Sequence, residues 1–425
     1  MEVALLFVVF LGCLVLGVPV AISLGLSSLC YLIVSGIPVV VMAQKVFTGI
    51  DVFVLLSIPG FILAGNLMNS GGITERIIRF ANAMVGWIRG GLGLTNISAS
   101  MFFGGVTGTA VADAASIGGV MIPGMKKAGY PADFSAAVTA ASSTVGPIIP
   151  PSVPMIIVGA LSGISVGQMF MAGAIPGIMM GLAMMVTCYI IARRRNFPRE
   201  EWQGFGELLR AFLSAFWALA MTAIIIYGLL SGIATPTETA IVACVYALVV
   251  GAFVYRELPL AKVPKIIIDS GVSAASILSL VGFANVFGWI LVSERIPQAI
   301  ASAVLSMTDS RILVILMINT VLLIVGMFME TIAALIILFV PLLSLAQAVG
   351  IEPLHFATFA VLNLMIGLTT PPVGVCLFVC AGIARLPLTP VVIAIMPFLL
   401  SNLIVLLLVS FVPAFATWLP GLIFE

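Results

Sequence analysis

Ser142-Ser143-Thr144-Val145-Gly146-Pro147-Ile148-Ile149-Pro150-Pro151-Ser152 sits in the middle of an apolar stretch, 131–162, that is otherwise long enough to cross a bilayer. A spanning helix needs about 20 apolar residues in a row. A double proline inside it removes two amide donors and stops the helix from continuing. Irregular backbone at membrane depth survives only where protein buries it or a cavity hydrates it. The pattern recurs downstream, where Asn363 and then Gly367-Leu368-Thr369-Thr370-Pro371-Pro372 interrupt the stretch 354–384. One proline is a packing kink; two Pro-Pro breaks, each preceded by hydroxyl residues, point to a binding site built from backbone.

Composition agrees with a chain that lives in lipid. Of 425 residues, 62% are hydrophobic and only 8% are charged, and the mean hydropathy is +1.31. A soluble protein carries about a quarter charged residues, so soluble enzymes and disordered scaffolds are excluded. A net charge of +1 excludes a nucleic-acid binder. Neither a basic leader nor a small-residue cleavage site is evident at the N-terminus. The six cysteines lie inside apolar segments with no CxxC pair and read as small packing residues. An HExxH zinc motif and a phosphate loop are both absent. The fold class expected is an all-α polytopic membrane protein.

Working outward from the two breaks, internal repetition organises the chain. Ser57, Gly60 and Phe61 recur as Ser279, Gly282 and Phe283, and Glu75-Arg76-Ile77 as Glu294-Arg295-Ile296. Gly108 and Pro123 match Gly326 and Pro341; Pro131, Pro150-Pro151 and Pro176 match Pro353, Pro371-Pro372 and Pro397. All offsets fall between 218 and 222. The expected organisation is N-terminal scaffold helices over 1–50 (helices 2–17 and 19–36) and a first repeat over 51–193. Connecting scaffold helices follow over 194–270 (207–231 and 235–255), then a second repeat over 271–416 and a tail over 417–425. The first repeat holds a helix 51–70, an arm 72–90, a hairpin 91–124, the broken helix 131–162 and a helix 165–192. The second holds 271–293, an arm 295–308, a hairpin 311–348, the broken helix 354–384 and a helix 388–416. The arms are amphipathic and suit the membrane interface, with Trp87 as an anchor.

Stretches 91–124 and 311–348 are too long for one crossing and carry polar residues at their middles, so each is expected to enter and leave on one side. Five crossings then separate residue 51 from residue 271, an odd number that turns the second repeat upside down. The positive-inside rule agrees. With Arg193-Arg194-Arg195 in the cytoplasm, fourteen of the seventeen basic residues lie inside and only Lys45, Arg295 and Arg311 outside. The expectation is an inverted-repeat secondary transporter, with two re-entrant hairpins and two broken helices.

Chemistry is expected at the hairpin tips, Gly104 to Thr109 with Asp113 and Gly326 to Thr331 with Glu330, and at the two breaks. Broken helices offer carbonyls to a cation at one half-helix end and amides with a positive dipole to an anion at the other. Asp113 and Glu330 are the acids placed deepest. They suit a role beside bound cations, proton carriage, or capping of the second hairpin helix. Thr235-Pro236-Thr237-Glu238 reads as a capping box, and Asp133 and His355 read as structural residues near helix starts. Tip and break backbone at Thr109, Pro147, Ser152 and Pro371 is expected to receive the anion.

These segments resemble a known family. Phe103-Gly104-Gly105 through Ala112-Asp113, Thr144 to Ser152, Thr235 to Glu238, Gly326 to Thr331 and Gly367 to Pro372 are similar to the large membrane subunit of TRAP (tripartite ATP-independent periplasmic) transporters. The resemblance covers essentially the whole chain. It implies an elevator-type fold, with a scaffold, arm helices and a mobile domain of two hairpins, and sodium-driven uptake of an organic acid through a multi-pass protein of the bacterial inner membrane. The partners implied are a periplasmic substrate-binding protein and a small four-helix membrane subunit, which is expected as a separate chain. The implied coupling ion is Na+. One sodium site would combine Thr107, Gly108 and Asp113 with Ser143 and Thr144. A second would combine Gly326, Glu330 and Thr331 with Asn363, Thr369 and Thr370; some relatives carry Asp at Glu330. Two readings from other classes stay open at this point, a stand-alone sodium- or proton-coupled antiporter and a channel.

Overall fold

A computed structural model describes residues 2–308 and 310–424, with the side chains of residues 2 and 105–107 outside that description. Among the described residues the regular structure is helical, with no strand. The N-terminal helices are α1 (Glu2–Val15), α2 (Val20–Val34) and α3 (Val40–Ile50). The first repeat runs α4 (Ser57–Ser70), α5 (Ile73–Val85), α6 (Gly91–Thr107), α7 (Ala110–Lys127), α8 (Ala132–Ser143), α9 (Val153–Ser162) and α10 (Val166–Arg194). Between the repeats lie α11 (Gly204–Leu230) and α12 (Pro236–Val249). The second repeat runs α13 (Val263–Ser293), α14 (Ile296–Met307), α15 (Arg311–Phe328), α16 (Thr331–Ala348), α17 (Pro353–Gly367), α18 (Val375–Ala384) and α19 (Leu388–Phe411), followed by α20 (Ala414–Phe424). Among the described residues, eight helices are long and apolar enough to span a membrane.

Polar ties sort the loops to two ends of the bundle. At one end the Gly90 N–H and the Tyr130 hydroxyl both donate to the Pro198 carbonyl, at 3.3 and 3.1 Å. There too Arg79 meets Glu207 at 2.6 Å, Arg76 meets Glu257 at 2.7 Å, and Lys126 Nζ donates to the Ala384 carbonyl at 3.1 Å. This is the arginine-rich end. At the other end Tyr31 donates to Glu294 at 2.5 Å, Asn285 Nδ2 to the Lys45 carbonyl at 2.7 Å, and Thr237 to the Phe53 carbonyl at 3.0 Å. The hairpin α6–α7 enters from the arginine-rich end and α15–α16 from the opposite one, so the repeats are inverted.

Lipid supplies little hydrophobic drive between helices, and close packing of small residues takes its place. A seam of this kind joins α4 to α12. Gly60 abuts Ala240, Gly71 abuts Gly251, and Cys244 Sγ donates to the Gly60 carbonyl at 3.0 Å. The outer faces of α11 and α12 carry exposed Phe205, Leu213, Tyr227 and Val245, the pattern of a surface solvated by lipid tails.

The structure departs from the sequence reading in several places. Residues 40–50 form a helix that the polar Gln44, Lys45 and Thr48 had concealed. α13 begins at Val263, with Pro264 in its first turn, eight residues before the expected 271. Pro413 ends α19 and opens α20, which lies against α10 at Gly167, so 414–424 is helix where a tail was expected. The capping box at Thr235 and Glu238 is present in full. Glu238→Ala removes the reciprocal half of this cap, so it is expected to lower the melting temperature slightly and to leave transport intact.

Candidate functional site

At the first junction the chain turns between α6 and α7 at Gly108, whose φ of 66° is left-handed, a conformation that glycine adopts without strain. Thr109 follows in extended conformation as the N-cap of α7. Asp113, four residues on, is fully enclosed, and its N–H donates to the Thr109 carbonyl at 3.1 Å. Facing this tip is the first break. α8 ends at Ser143, the chain coils through Pro147 and the cis Pro150-Pro151 bond, and α9 begins at Val153. The Ser152 hydroxyl caps α9 by accepting from Met155 N–H at 3.2 Å and donates to the Pro147 carbonyl. Tip and break meet backbone on backbone. A Cβ on Gly104 would strike the backbone of Gly146, and one on Gly146 would strike Asp113 Oδ2. Gly108 lies against Val153 and the Pro151 carbonyl.

The second junction repeats this contact with different side chains. Gly326 in α15 packs on Gly367 at the end of α17, and a Cβ on Gly367 would stand 2.7 Å from Gly326 Cα. Past the cis Pro371-Pro372 bond, the Gly374 N–H donates to the Met327 carbonyl at 3.2 Å, tying the break to the hairpin. Glu330 is the N-cap of α16, its carboxylate accepting from Ile332 N–H at 2.9 Å and Ala333 N–H at 3.3 Å. Glu330 is exposed at the hairpin tip, whereas Asp113 is fully enclosed.

The structure corrects the register of the repeat. Gly326 takes the part of Gly104, 222 residues earlier, rather than that of Gly108. α7 and α16 begin at Ala110 and Thr331, 221 apart, which pairs Glu330 with Thr109 and Asp113 with Ala334. The two acids therefore hold non-equivalent positions, one as a cap and one within the first turn.

Amide networks lock each hairpin to its break. Asn96 in α6 donates to Thr139 at 2.6 Å and accepts from Ser142 at 3.0 Å, and Ser100 donates to Ser142 at 2.9 Å. In the second repeat Asn363 donates to the Asn319 carbonyl at 2.9 Å and to its Oδ1 at 2.7 Å, and Asn319 donates to Ser410 at 3.1 Å. Removing one partner of a buried pair costs about 1–3 kcal/mol. Asn319→Ala should lower stability by about that amount in a thermal melt of the purified protein.

The hydroxyls at the breaks are oriented by carbonyls. Ser143 and Thr144 donate to Ala140 and Ala141 at 2.8 and 2.7 Å, and Thr369 and Thr370 both donate to Ile366 at 2.9 Å. Thr331 reaches the Leu364 carbonyl at 3.5 Å. Each hydroxyl proton is thereby committed, which leaves oxygen lone pairs for a cation. Asn363 Oδ1 is buried and has no hydrogen-bond partner. The side chain of Thr107 lies outside the described residues. Among those described, no three His, Cys, Asp or Glu side chains converge, so the available donors are hydroxyl, amide and carbonyl oxygens with one carboxylate at each junction.

Sequence reading passed over Cys376. It lies in the first turn of α18, fully buried. It places the two junctions side by side: α18, from the second break, packs on α7 and α8, while α9, from the first, packs on α16 and α17. No periodicity marks it; its near-equivalence to the start of α9 was the available signal. Four helix N-termini, at Ala110, Val153, Thr331 and Val375, border this crossing. Glu330 already occupies the amides of α16, and Ser152 occupies one of α9. No side chain caps α7 or α18, although at α18 the Cys376 N–H already donates to the Leu368 carbonyl at 3.1 Å.

Inverted hairpins and broken helices meeting inside a multi-pass helical bundle define a membrane transporter rather than an enzyme. Residues 7–415 match the family model described as Tripartite ATP-independent periplasmic transporter, DctM component, and the chain belongs to that family. It is 42% identical to the sialic acid TRAP transporter large permease protein SiaM of Vibrio cholerae serotype O1, over 97% of each chain. It is 38% identical to the C4-dicarboxylate TRAP transporter large permease protein DctM of the same organism, over 100% of this chain and 98% of that one. The fold is also similar to the crystal structure of the Alcanivorax borkumensis YdaH transporter, described as having an unusual topology. The TM-score is 0.64 at 13% identity, covering 88% of this chain and 87% of that chain.

Proposed function

We propose that this chain is the large permease subunit of a sodium-coupled uptake system for an organic acid in the bacterial inner membrane. The observation that carries this reading is the paired tip-and-break junction, which sets cation-type and anion-type helix ends beside each other near mid-span in a member of the DctM family. The acid is a carboxylate such as those in the names of its relatives. A periplasmic binding protein delivers it, and a small membrane subunit of four helices completes the transporter.

Sodium fits the donor set, since hard cations take oxygen ligands. One ion draws on Asp113, Ser143 and Thr144 with nearby carbonyls including that of Thr107 or Gly108. The other draws on Glu330, Asn363, Thr369 and Thr370 with carbonyls near Gly326 and Thr331. The acid group of the substrate sits at the uncapped helix starts near Thr109 and Pro371, bordered by Pro147 and Ser152. Two sodium ions with one monoanion move one net positive charge inward, and each charge moved through 100 mV is worth about 2.3 kcal/mol. The hairpins and breaks, knitted by their asparagine networks, move together past α2, α3, α4, α12 and α13 while the arms α5 and α14 carry the strain, an elevator motion.

Uptake of radiolabelled acids into proteoliposomes holding this chain and its partners tests the coupling. An inward sodium gradient is expected to raise the initial rate at least tenfold over potassium. Equal rates in both salts would refute sodium coupling.

A further inference from the structure

A cavity of about 360 Å³ lies apart from the junctions, between α3 and α13 on one side and α9 and α16 on the other. Lys45, Asn285 and Trp289 form one wall; Ile157, Leu161 and Val340 form the other. Asn285 Nδ2 donates to the Lys45 carbonyl at 2.7 Å, and Gly49 allows α3 to approach α13 at this point. Lys45 Nζ lies 5.2 Å from the Trp289 ring centroid, so the ammonium is held toward the cavity on an aromatic face. Half-buried, it makes no ion pair among the described residues.

Position along the helices relates this cavity to the transport site. Ile157 and Leu161 follow the Ser152 cap by five and nine residues, which at 1.5 Å per residue is about 8–14 Å along α9. Val340 follows Glu330 by ten residues, about 15 Å along α16. The cavity therefore lies between the junctions and the end of the bundle opposite the arginine-rich loops. Its size falls in the range of small-molecule pockets, about 300–1,000 Å³. Apolar walls strengthen the field of an uncompensated cation. The ligand suited to it is a small organic acid, with its anionic group on Lys45 and Asn285 and its body against Trp289 and the apolar wall.

We propose that this cavity is an outer loading station, where Lys45 takes the acid group of the substrate before it reaches the junctions. The proposal rests on the organic-acid reading above. Proteoliposomes holding the chain with its partners test it with a panel of radiolabelled sialic acid, C4-dicarboxylates, keto acids and sugar acids. Lys45→Gln is expected to raise the half-saturating concentration about tenfold for acid supplied at the outer face, as loss of one charge-assisted contact implies. Half-saturation for acid supplied at the arginine-rich face should stay unchanged, and Lys45→Arg should restore most of the outer-face affinity. Unaltered outer-face half-saturation in Lys45→Gln, or equal loss at both faces, would overturn the station. So would a Lys45→Gln defect that disappears in vesicles of phosphatidylethanolamine alone, because the cavity would then hold an anionic lipid headgroup. A wild type that transports none of the panel would overturn the organic-acid reading and the station with it.

Discussion

Gly146→Ala is expected to abolish uptake while the protein still reaches the membrane. The substitution adds one methyl group at the point where break and hairpin touch, and that methyl would occupy the space of Asp113 Oδ2 beside Gly104. Neither obstacle is a flexible side-chain end free to swing away, since one is backbone and the other an enclosed carboxylate. Overpacking of a dense interior costs about 1–3 kcal/mol in stability. The larger effect is displacement of the tip from the break, which separates the groups that must meet at the ion site. We expect at least a hundredfold loss of transport, the scale of effect that a 1 Å misplacement produces in a preorganised site. Gly367→Ala should behave in the same way at the second junction, where the obstacle is the backbone of Gly326. Gly119→Ala and Gly124→Ala are the controls. Both lie in α7 with open space where the Cβ would go, and each should leave uptake unchanged and stabilise the helix by up to about 1 kcal/mol. Uptake in Gly146→Ala equal to that of these controls would show that the close contact does not matter for transport.

The second large effect separates the two tasks of Glu330. Glu330→Gln keeps an oxygen that can accept from Ile332 and Ala333, so the hairpin should hold, but it removes the negative charge. The half-saturating sodium concentration is expected to rise at least tenfold, about 1.4 kcal/mol, with little change in melting temperature. Glu330→Ala removes the cap as well and should add a destabilisation of about 0.5–2 kcal/mol. Asp113→Asn should likewise weaken the sodium response. Both glutamine and asparagine variants activating with wild-type sodium dependence would leave the carboxylates with structural roles only.

The parts of this fold that were legible in the sequence are those where covalent chemistry forbids an alternative. A Pro-Pro pair cannot continue a helix, and a long apolar stretch with glycines, a threonine and an acid at its middle does not read as one straight crossing, so the breaks and the hairpins could be read directly. Inversion followed from counting crossings and from the side on which arginine gathers. Elements defined by tertiary contact were less visible. α3 is a short surface helix whose mixed polar residues hide its packing on α13. The start of α13 is masked by Lys262, Lys265 and Asp269, charges that an interfacial turn accommodates without ending the helix.

At the site, residue types were readable and register was not. Glycine is frequent in membrane helices, so the sequence pairs Gly108 with Gly326 at an offset of 218, where the structure pairs Gly104 with Gly326 at 222. Only the backbone contacts distinguish them, and they also show that Asp113 and Glu330 do not stand in for each other. Cys376 escaped notice because a buried cysteine is ordinarily a small packing residue. Its importance lies in where two distant segments cross.

Sodium binding to the purified subunit tests the central claim most directly. Hydrogen–deuterium exchange would be followed over 104–113, 140–153, 326–333 and 363–377 in sodium chloride and in potassium chloride at equal ionic strength. Sodium-specific protection at both tip-and-break pairs, with α11 and α20 unchanged, is the result predicted here. Identical exchange in the two salts across all four segments would contradict the assignment of the junctions as ion sites.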